Sequence, residues 1–517
     1  MASLDRIAIQ ERGIPSLDLM ERAGKGVADA ILCHFPQSRN PLIVSGRGNN
    51  GGDGFVVARY LREAGRDPSV VLLAKTDELT EDARCNYERM RKECSLDGHA
   101  FLPDEQARVD DLRAVLTSEP DLIVDAVFGT GFRGSIRHPL VSLIEFLNAM
   151  RVPRVAVDIA SGVVADDGSV GGVAFRADLT VTMALPKVGH FLPPGIDYTG
   201  RVEVVDIGIP EDLLGQKAAD EADLLCLREL RDLLPRYRYS AHKGDRGHLL
   251  ILAGSPGLTG AGCLAGEAAL YSGAGLVTVG VPEPLNPIFE TKLTEVMTLP
   301  LSAGPASTLA STALKAILDF AGRAQAVVFG PGVGKDEDTG KLLLELVKNL
   351  EKPLLIDADG LNLLAGRDQA LKGRRFPTIL TPHPGEMGRL IGKTTAEVQA
   401  DRWGVARRFA EAWGVTLVLK GCGTVVASEG VLWVNPTGGP AMSQGGMGDT
   451  LSGLIGSLLA QGLGTADAAR LGVFLHGLSA DLCAHEYPGE VVTASEVGRG
   501  LRRAMAEMRA GKTTGSE

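Results

Sequence analysis

Asn49, Asn50 and Asp53 stand among five glycines in GRGNNGGDG, residues 46–54, directly after the apolar run Pro41–Ser45. Two more apolar runs end in kindred chemistry. Leu122–Asp125 leads through Ala126, Val127 and Phe128 into Gly129-Thr130-Gly131, and Val155–Asp158 leads into Ser161-Gly162. Lys187, within ALPKVGH at 184–190, adds a cation. Glycine turns expose backbone N–H groups that hold phosphate. The oxygens of Asn50, Asp125 and Ser161 suit a hard cation. Asp158 is left as the candidate acid or base. Turns alone do not require so many oxygens at neighbouring strand ends.

A second constellation lies near the end of the chain, in GGMGDTLSGLIGSLLAQG at 445–462. Glycines 445, 446 and 448 come first, then Asp449, then a helix with Leu451, Leu454, Ile455, Leu458 and Leu459 on one apolar face. The N–H groups of such a helix start attract a transferring phosphoryl group. Asp449 is placed to take a proton from an attacking hydroxyl, which is the positioning and electrostatics that phosphoryl transfer needs. The competing reading makes Asp449 a helix cap. Gly330–Gly334 follows the run AVVF, Lys420–Thr424 follows TLVL, and His383 and Glu386 lie in a Pro/Gly-rich turn after Thr381. Loops of this kind at strand ends carry ligand contacts, and Asn435 and Thr437 are expected at the same mouth.

Two common nucleotide motifs fail. Gly46-x-Gly48-x-x-Gly51 matches the dinucleotide fingerprint, but neither Asp67 nor Asp77 is placed as its acidic partner. Gly52, Asp53 and Gly54 are also expected to delay the helix to Phe55–Ala64, so an ordinary hydride-transfer site is disfavoured. GKT at 392–394 has Met387 where a P-loop needs its first glycine; GPGVGK at 330–335 has Phe329 there and an aspartate after the lysine.

The elements that position these residues alternate. In the first half the strand runs are Pro41–Ser45, Ser69–Ala74, Leu122–Asp125, Val155–Asp158, Leu179–Met183 and Arg201–Asp206. In the second they are Leu249–Ala253, Gly275–Val281, Ala326–Phe329, Pro353–Asp357, Thr378–Thr381 and Thr416–Leu419. Helical patterns between them predict parallel sheets with right-handed crossovers, and ligands beyond the carboxyl ends of the strands. A chain of 517 residues implies two or three domains. The charged stretch 211–235 separates two α/β halves. The net charge of -11 argues against nucleic acid and anionic membranes as partners. The 7 scattered cysteines include no CxxC, so neither a disulfide framework nor a zinc site is expected. The charged start and the lack of a long apolar run predict no signal peptide and no membrane span, hence a cytoplasmic enzyme. A homo-oligomer is compatible with the sequence.

PSLDLMERAG (15–24), GRGNNGGDG, VDAVFGTG (124–131), DIASG (158–162) and ALPKVGH resemble the successive motifs of NAD(P)H-hydrate epimerases over residues 1–210. That resemblance implies a Rossmann-like three-layer domain that interconverts the epimers at carbon 6 of hydrated nicotinamide, NADHX and NADPHX. It implies substrate contacts at Asn49, Asn50, Gly51, Gly52 and Asp53, at Gly129, Thr130, Gly131, Phe132, Arg133, Gly134 and Ser135, and at Asp158. It implies potassium (K+) on Asn50, Asp125 and Ser161. Ala160 stands where the family commonly has proline.

GHLLILAGSPGLTGAG (247–262), GPGVG (330–334), DADGLN (357–362), TPHPGEMGRL (381–390), NPTGGP (435–440) and GGMGDTLSG (445–453) resemble ADP-dependent NAD(P)H-hydrate dehydratases of the ribokinase-like superfamily over residues 235–505. Implied are Asp449 as base, substrate contacts at Ala261, Gly332, Gly334, His383 and Asp449, and ADP contacts at Lys420, Gly421, Cys422, Gly423, Thr424 and Gly448. ADP is then the co-substrate, with Mg2+ beside it. The expected organisation is an epimerase domain at 1–215, a linker and first helix at 216–234, a dehydratase domain at 235–510 and a tail at 511–517. The rival is a vitamin-salvage kinase of the same superfamily fused to a nonenzymatic nucleotide-binding module.

Overall fold

Short β-branched runs buried on both faces form parallel sheets in each half of the chain, because helices cover both faces of each sheet. The computed structural model describes residues 2–96, 99–100, 119–214, 222–486, 489 and 491–511. It divides into two units, Met1–Ala219 and Asp220–Glu517. Residues 216–221 of the expected linker and 512–517 of the expected tail lie outside the described residues. Residues 222–234 hold a two-residue strand and a helical turn at Leu227–Leu230.

In the first unit the strands are β1 (Pro41–Ser45), β2 (Ser69–Leu72), β3 (His99–Ala100), β4 (Leu122–Ala126), β5 (Arg154–Val157), β6 (Leu179–Met183) and β7 (Arg201–Val205). All pairings are parallel, in the order β3-β2-β1-β4-β5-β6-β7. The order reverses between β1 and β4, where Val44 pairs with Asp125 and Ser45 with Ala126. A crevice for ligand opens at such a switch. One apolar layer, with Phe55, Val57 and Leu61, covers one face, and another, with Ile144, Leu147 and Phe175, covers the other. Fully burying one such side chain contributes roughly 1.5–3 kcal/mol.

The helix after β1 spans Asn49–Glu63, so the expected start at Phe55 is wrong. The glycines are not a loop that delays the helix. A Cβ on Gly51 would stand 1.9 Å from the Gly46 carbonyl oxygen, and one on Gly54 would stand 2.6 Å from Ser45 Oγ and 2.7 Å from Ala126 Cβ. They let the first turns of the helix lie directly on β1 and β4.

In the second unit the strands are β8 (Asp223–Leu224), β9 (His248–Leu252), β10 (Leu276–Pro282), β11 (Met297–Leu301), β12 (Ala326–Phe329), β13 (Leu354–Ile356), β14 (Thr378–Leu380), β15 (Thr416–Leu419), β16 (Val425–Ser428) and β17 (Val431–Val434). The order is β11-β10-β9-β12-β13-β14-β15-β16-β17-β8. From β11 to β15 the sheet is parallel; β16 and β17 add an antiparallel hairpin. Helices Thr259–Tyr271, Met447–Ala460 and Thr465–Glu486 cover one face. Helices Leu314–Ala321, Glu337–Asn349 and Arg402–Trp413 cover the other. Among the described residues no helix is long and apolar enough to cross a membrane.

Candidate active sites

A cleft of about 1010 Å³ opens beyond the ends of β1 and β4, walled by Asn49, Asn50, Asp53, Gly129–Arg133 and Asp158. Gly51 and Gly52 are buried in helix packing, and Gly134 and Ser135 lie off this wall. Behind the wall Asp125 and Ser161 meet, and the Phe128 backbone links them to Asn50. Asp125 Oδ1 accepts from Ser161 Oγ at 2.7 Å, and Oδ2 accepts from the Ser161 N–H at 2.7 Å. Ser161 Oγ accepts from the Phe128 N–H at 2.9 Å, and Asn50 Nδ2 donates to the Phe128 carbonyl at 3.1 Å. Burial pushes the Asp125 carboxyl up to about 6, against the lowering hydrogen bonds from Ser161 and Val127, and no cation among the described residues neutralises it. Asn50 Oδ1 is buried without a partner. A buried carboxyl beside an orphaned amide oxygen fits a bound cation. Among the described residues no cluster of three His, Cys, Asp or Glu offers a conventional metal site.

Asp158 follows β5 at φ 66, in a tight three-residue turn closed by the Ile159 N–H on the Val157 carbonyl at 2.8 Å. Such a turn is strained for a non-glycine residue. It turns the carboxylate toward the Lys187 ammonium, which donates to Asp158 Oδ1, to Thr182 Oγ1 at 2.7 Å and to the Met183 carbonyl at 3.0 Å. Burial raises Asp158, but the charge and hydrogen bond of Lys187 outweigh it and hold the carboxyl below its ordinary value. His190 Nδ1 accepts from the Lys187 N–H at 3.2 Å, and its Nε2 lies 3.0 Å from the Asp158 carbonyl. Burial, then Lys187, takes this ring down to about 4, so it is neutral with the proton on Nε2. Asp53 on the same cleft is pushed well up by burial, then by Asp158 and by Asp5 of the N-terminal helix Ala2–Gln10.

In the second unit the helix Met447–Ala460 starts after Gly446, which adopts φ 89. Asp449 is therefore the third helical residue, and no side chain caps this helix start, so Asp449 is not its cap. Burial raises Asp449 to about 7, with Asp357, Asp359 and Glu386 adding and Lys420 opposing. Lys420 Nζ donates to Asp357 Oδ1 at 2.6 Å and lies 3.8 Å from Glu386 Oε2; Ser452 Oγ donates to Asp357 Oδ2 at 2.5 Å. A Cβ on Gly448 would lie 3.2 Å from Lys420 Nζ, so the candidate nucleotide contacts Gly448 and Lys420 adjoin.

The loop Lys420–Thr424 is held from beneath. Arg402, buried, donates to the carbonyls of Leu419 at 3.1 Å, Gly423 at 3.3 Å and Lys420 at 3.4 Å. Gly332 and Ala261 are brought together: a Cβ on Gly332 would lie 3.1 Å from Ala261 Cβ. The Gly334 N–H donates to Asp359 Oδ2 at 3.1 Å. His383 caps the helix Pro384–Ile391, its Nδ1 accepting from Gly385 N–H at 3.0 Å, while 49% of the side chain remains exposed. Asn435 and Thr437 are held by hydrogen bonds to each other and to the helix Thr465–Glu486. Asn435 Nδ2 donates to the carbonyls of Thr437 and Val473, and Thr437 Oγ1 donates to Asn435 Oδ1 and the Phe474 carbonyl, so both bind the helix Thr465–Glu486 to its neighbour.

Sequence reasoning missed Asp5, Thr182, His190, Arg402 and Ser452. It also missed His476, buried with Nε2 unpartnered and lowered to about 4 by burial and then Lys420. Of these, His190 and Ser452 lay inside quoted motifs.

A family model described as YjeF-related protein N-terminus matches residues 16–189, and one described as NAD(P)H-hydrate dehydratase matches residues 249–502. The bifunctional NAD(P)H-hydrate repair enzyme Nnr of Moorella thermoacetica is 42% identical over 501 residues, 96% of this chain and 94% of that one. The protein of the same name from Escherichia coli K12 is 36% identical over 501 residues, 96% and 91% of the two chains. Among solved structures, the ADP/ATP-dependent NAD(P)H-hydrate dehydratase from Bacillus subtilis, co-crystallized with ATP/Mg2+, is 31% identical. It matches 56% of this chain and 99% of its own, with a TM-score of 0.50.

Proposed function

The chain belongs to the bifunctional NAD(P)H-hydrate repair enzymes, and on that premise we propose that its two units act in turn on hydrated nicotinamide cofactors. The first interconverts the R and S hydrates. The second dehydrates the S hydrate to NADH or NADPH with ADP, releasing AMP and phosphate. The observation that carries this reading is Asp449, the third residue of an uncapped helix start with a carboxyl raised to about 7 beside Lys420. That is a base matched to neutral pH at an anion-attracting terminus.

In the second unit Asp449 takes the proton of the ring hydroxyl as that oxygen attacks the terminal phosphorus of ADP. Gly448 and Lys420–Thr424 receive the nucleotide, and Ala261, Gly332, Gly334 and His383 receive the hydrate. That attack expels AMP and leaves a phosphate ester on carbon 6; the bond from carbon 6 to the ester oxygen then breaks with its electron pair leaving on phosphate, and loss of a proton from carbon 5 to solvent returns the ring double bond. Mg2+ accompanies the nucleotide and screens its charge.

In the first unit Asn49, Asn50, Asp53 and Gly129–Arg133 frame the hydrate, and Asp158 serves the departure and return of the hydroxyl at carbon 6. Asn50, Asp125 and Ser161 hold a cation, proposed as potassium, which supplies positive charge beside the anionic cofactor. None of the 7 cysteines is in a disulfide, which supports a reducing, cytoplasmic setting. The test starts from a mixture of hydrated NADH epimers with ADP and Mg2+. Wild type restores the reduced-nicotinamide absorbance from both epimers. Asp449→Asn stops restoration while epimer exchange continues, and Asp158→Asn does the reverse. Identical behaviour of the two variants would refute the division of labour.

A further inference from the structure

Two carboxyls on one cleft have been given opposite surroundings. Asp158 faces a lysine, a threonine hydroxyl and the Met183 N–H, all favouring its charged form. Asp53 sits in the second turn of the helix Asn49–Glu63, on the same cleft wall, and has neither a hydrogen-bond donor nor a paired cation among the described residues. Its charged neighbours are Asp158 and Asp5, both acidic, and Lys187, which is already committed to Asp158. Arg47, Glu78, Asp82 and Arg133 lie elsewhere on the wall, and His190 is neutral behind Asp158. One proton shared between such a pair resides on Asp53. Asp53 is thus more than a polar contact at the start of a helix.

We propose that Asp53 is a catalytic proton donor of the N-terminal site, paired with Asp158 as the carboxylate that accepts a proton. The proposal rests on the epimerase reading above. The bond between carbon 6 and its hydroxyl oxygen breaks with its electron pair going to oxygen, which takes the proton of Asp53 and departs as water. The lone pair of the ring nitrogen forms the carbon–nitrogen double bond. A water molecule then adds to carbon 6, the double-bond pair returns to nitrogen, and the proton shed by that water passes to Asp158. Addition to the other face gives the other epimer, and the same pair with exchanged protons serves the reverse reaction. A weak base suffices at Asp158, because a water bound to an electron-poor carbon is a strong acid.

The experiment follows purified epimers of hydrated NADH in ¹⁸O-water, measuring both epimer interconversion and entry of ¹⁸O at the carbon 6 hydroxyl. Wild type does both together, and its rate falls as alkali removes the Asp53 proton. Asp53→Asn lowers both rates about 10²–10³-fold while KM stays within about threefold, the pattern of a lost acid rather than a lost contact. Asp53→Glu recovers part of the rate and keeps an alkaline limb. Both processes within about tenfold of wild type in Asp53→Asn, or a raised KM at unchanged kcat, would overturn the proposal. So would a wild-type profile lacking the alkaline limb, should the asparagine variant not fold. A wild-type chain that exchanges neither label nor epimer overturns the underlying reading as well, so the two failures are distinct.

Discussion

Asp357→Asn should move the acid limb of the dehydration reaction toward lower pH. The base must be ionised, and Asp449 stands at about 7 through burial, with Asp357 the largest charge contribution in the same direction. At pH 5, two units lower, about 1% of such a base is ionised, so wild-type kcat/KM is about a hundredfold below its plateau. Asp357→Asn removes that neighbouring negative charge. It also frees the Lys420 ammonium, which now donates to Asp357 Oδ1 and opposes the rise of Asp449. Both changes favour the ionised base, and removal of a nearby charge moves a carboxyl by about one unit or more. Relative to its own plateau, the variant should be about tenfold more active than wild type at pH 5. The plateau itself falls, because Lys420 is a proposed nucleotide contact and breaking a buried pair costs about 3–5 kcal/mol. Glu386→Gln is the gentler companion, since Glu386 also raises Asp449, and its limb should move less in the same direction. The assay is the initial rate of absorbance recovery from the S hydrate with ADP and Mg2+ between pH 5 and 9. A limb that stays in place in both variants, or that moves to higher pH, would show that Asp449 is not the group that titrates.

Asp449→Asn should stabilise the second unit at pH 8 and leave it unchanged at pH 3. A carboxyl raised on folding is held protonated below its unfolded value, and folding stability declines as pH climbs from about 4 to about 7. Three units correspond to an upper bound of about 4 kcal/mol, so a melting temperature no higher than wild type at pH 8 would contradict the buried-base picture. Asp125→Asn should weaken the dependence of epimer exchange on potassium, read by titrating the salt, since it removes the one charge in the Asn50–Asp125–Ser161 group. Gly51→Ala should destabilise the first unit by about 1–3 kcal/mol in urea unfolding, because its Cβ would stand 1.9 Å from the Gly46 oxygen. Arg402→Met should raise KM for ADP about tenfold with little change in kcat, since Arg402 shapes the 420–424 loop through carbonyls and touches no reacting group; an unchanged KM would mean the loop holds itself.

Both sheets were legible because their strands are short apolar runs separated by helix-length intervals; each expected strand lies within about two residues of an observed one, while the edge strand Met297–Leu301, only partly buried, was not expected. Edge elements were not. His99–Ala100 and Asp223–Leu224 are two residues each, and β16 and β17 are joined by a turn at Glu429 and Gly430 that carries no strong hairpin dipeptide. The meeting of Asp125 and Ser161, with Asn50 linked through Phe128, followed from strand ends sharing one edge of a parallel sheet. The start of the glycine-rich helix was misread, because in sequence a glycine that turns the chain and a glycine that lets a helix touch a strand are the same letter. The lysine partners were also hidden. Nothing local in ALPKVGH says that Lys187 reaches Asp158, 29 positions earlier, and nothing near Lys420 says that it reaches Asp357, 63 positions earlier.

Those two pairs share a backbone device. Asp158 has φ 66, Ala184 φ 58 and Ala358 φ 51, the first two one residue past a strand and the third two. At Asp158 and Ala184 the following N–H bonds the carbonyl of the residue before, at 2.8 Å and 2.6 Å. At Ala358, with ψ -121, the Gly360 N–H bonds the Asp357 carbonyl at 2.9 Å. An extended strand sends successive side chains to opposite faces, so a strand that simply continued would carry its last carboxylate into one helix layer or the other. A tight reversal instead ends the strand in the plane of the sheet, where the crevice lies. Each such residue costs about 1–3 kcal/mol, and glycine would remove that cost. Asp158 cannot be glycine without losing its carboxylate. Ala184 and Ala358 carry no functional group, yet each stands next to residues that must be fixed: Ala184 precedes the turn that delivers Lys187, and Ala358 separates Asp357, which holds Lys420, from Asp359, which holds Gly334. A glycine there would widen the set of backbone conformations open to those carboxylates and lysines. The strain is therefore tied to the acid–lysine pairs, and it recurs in both units because each pair is built from residues that begin where a parallel strand ends.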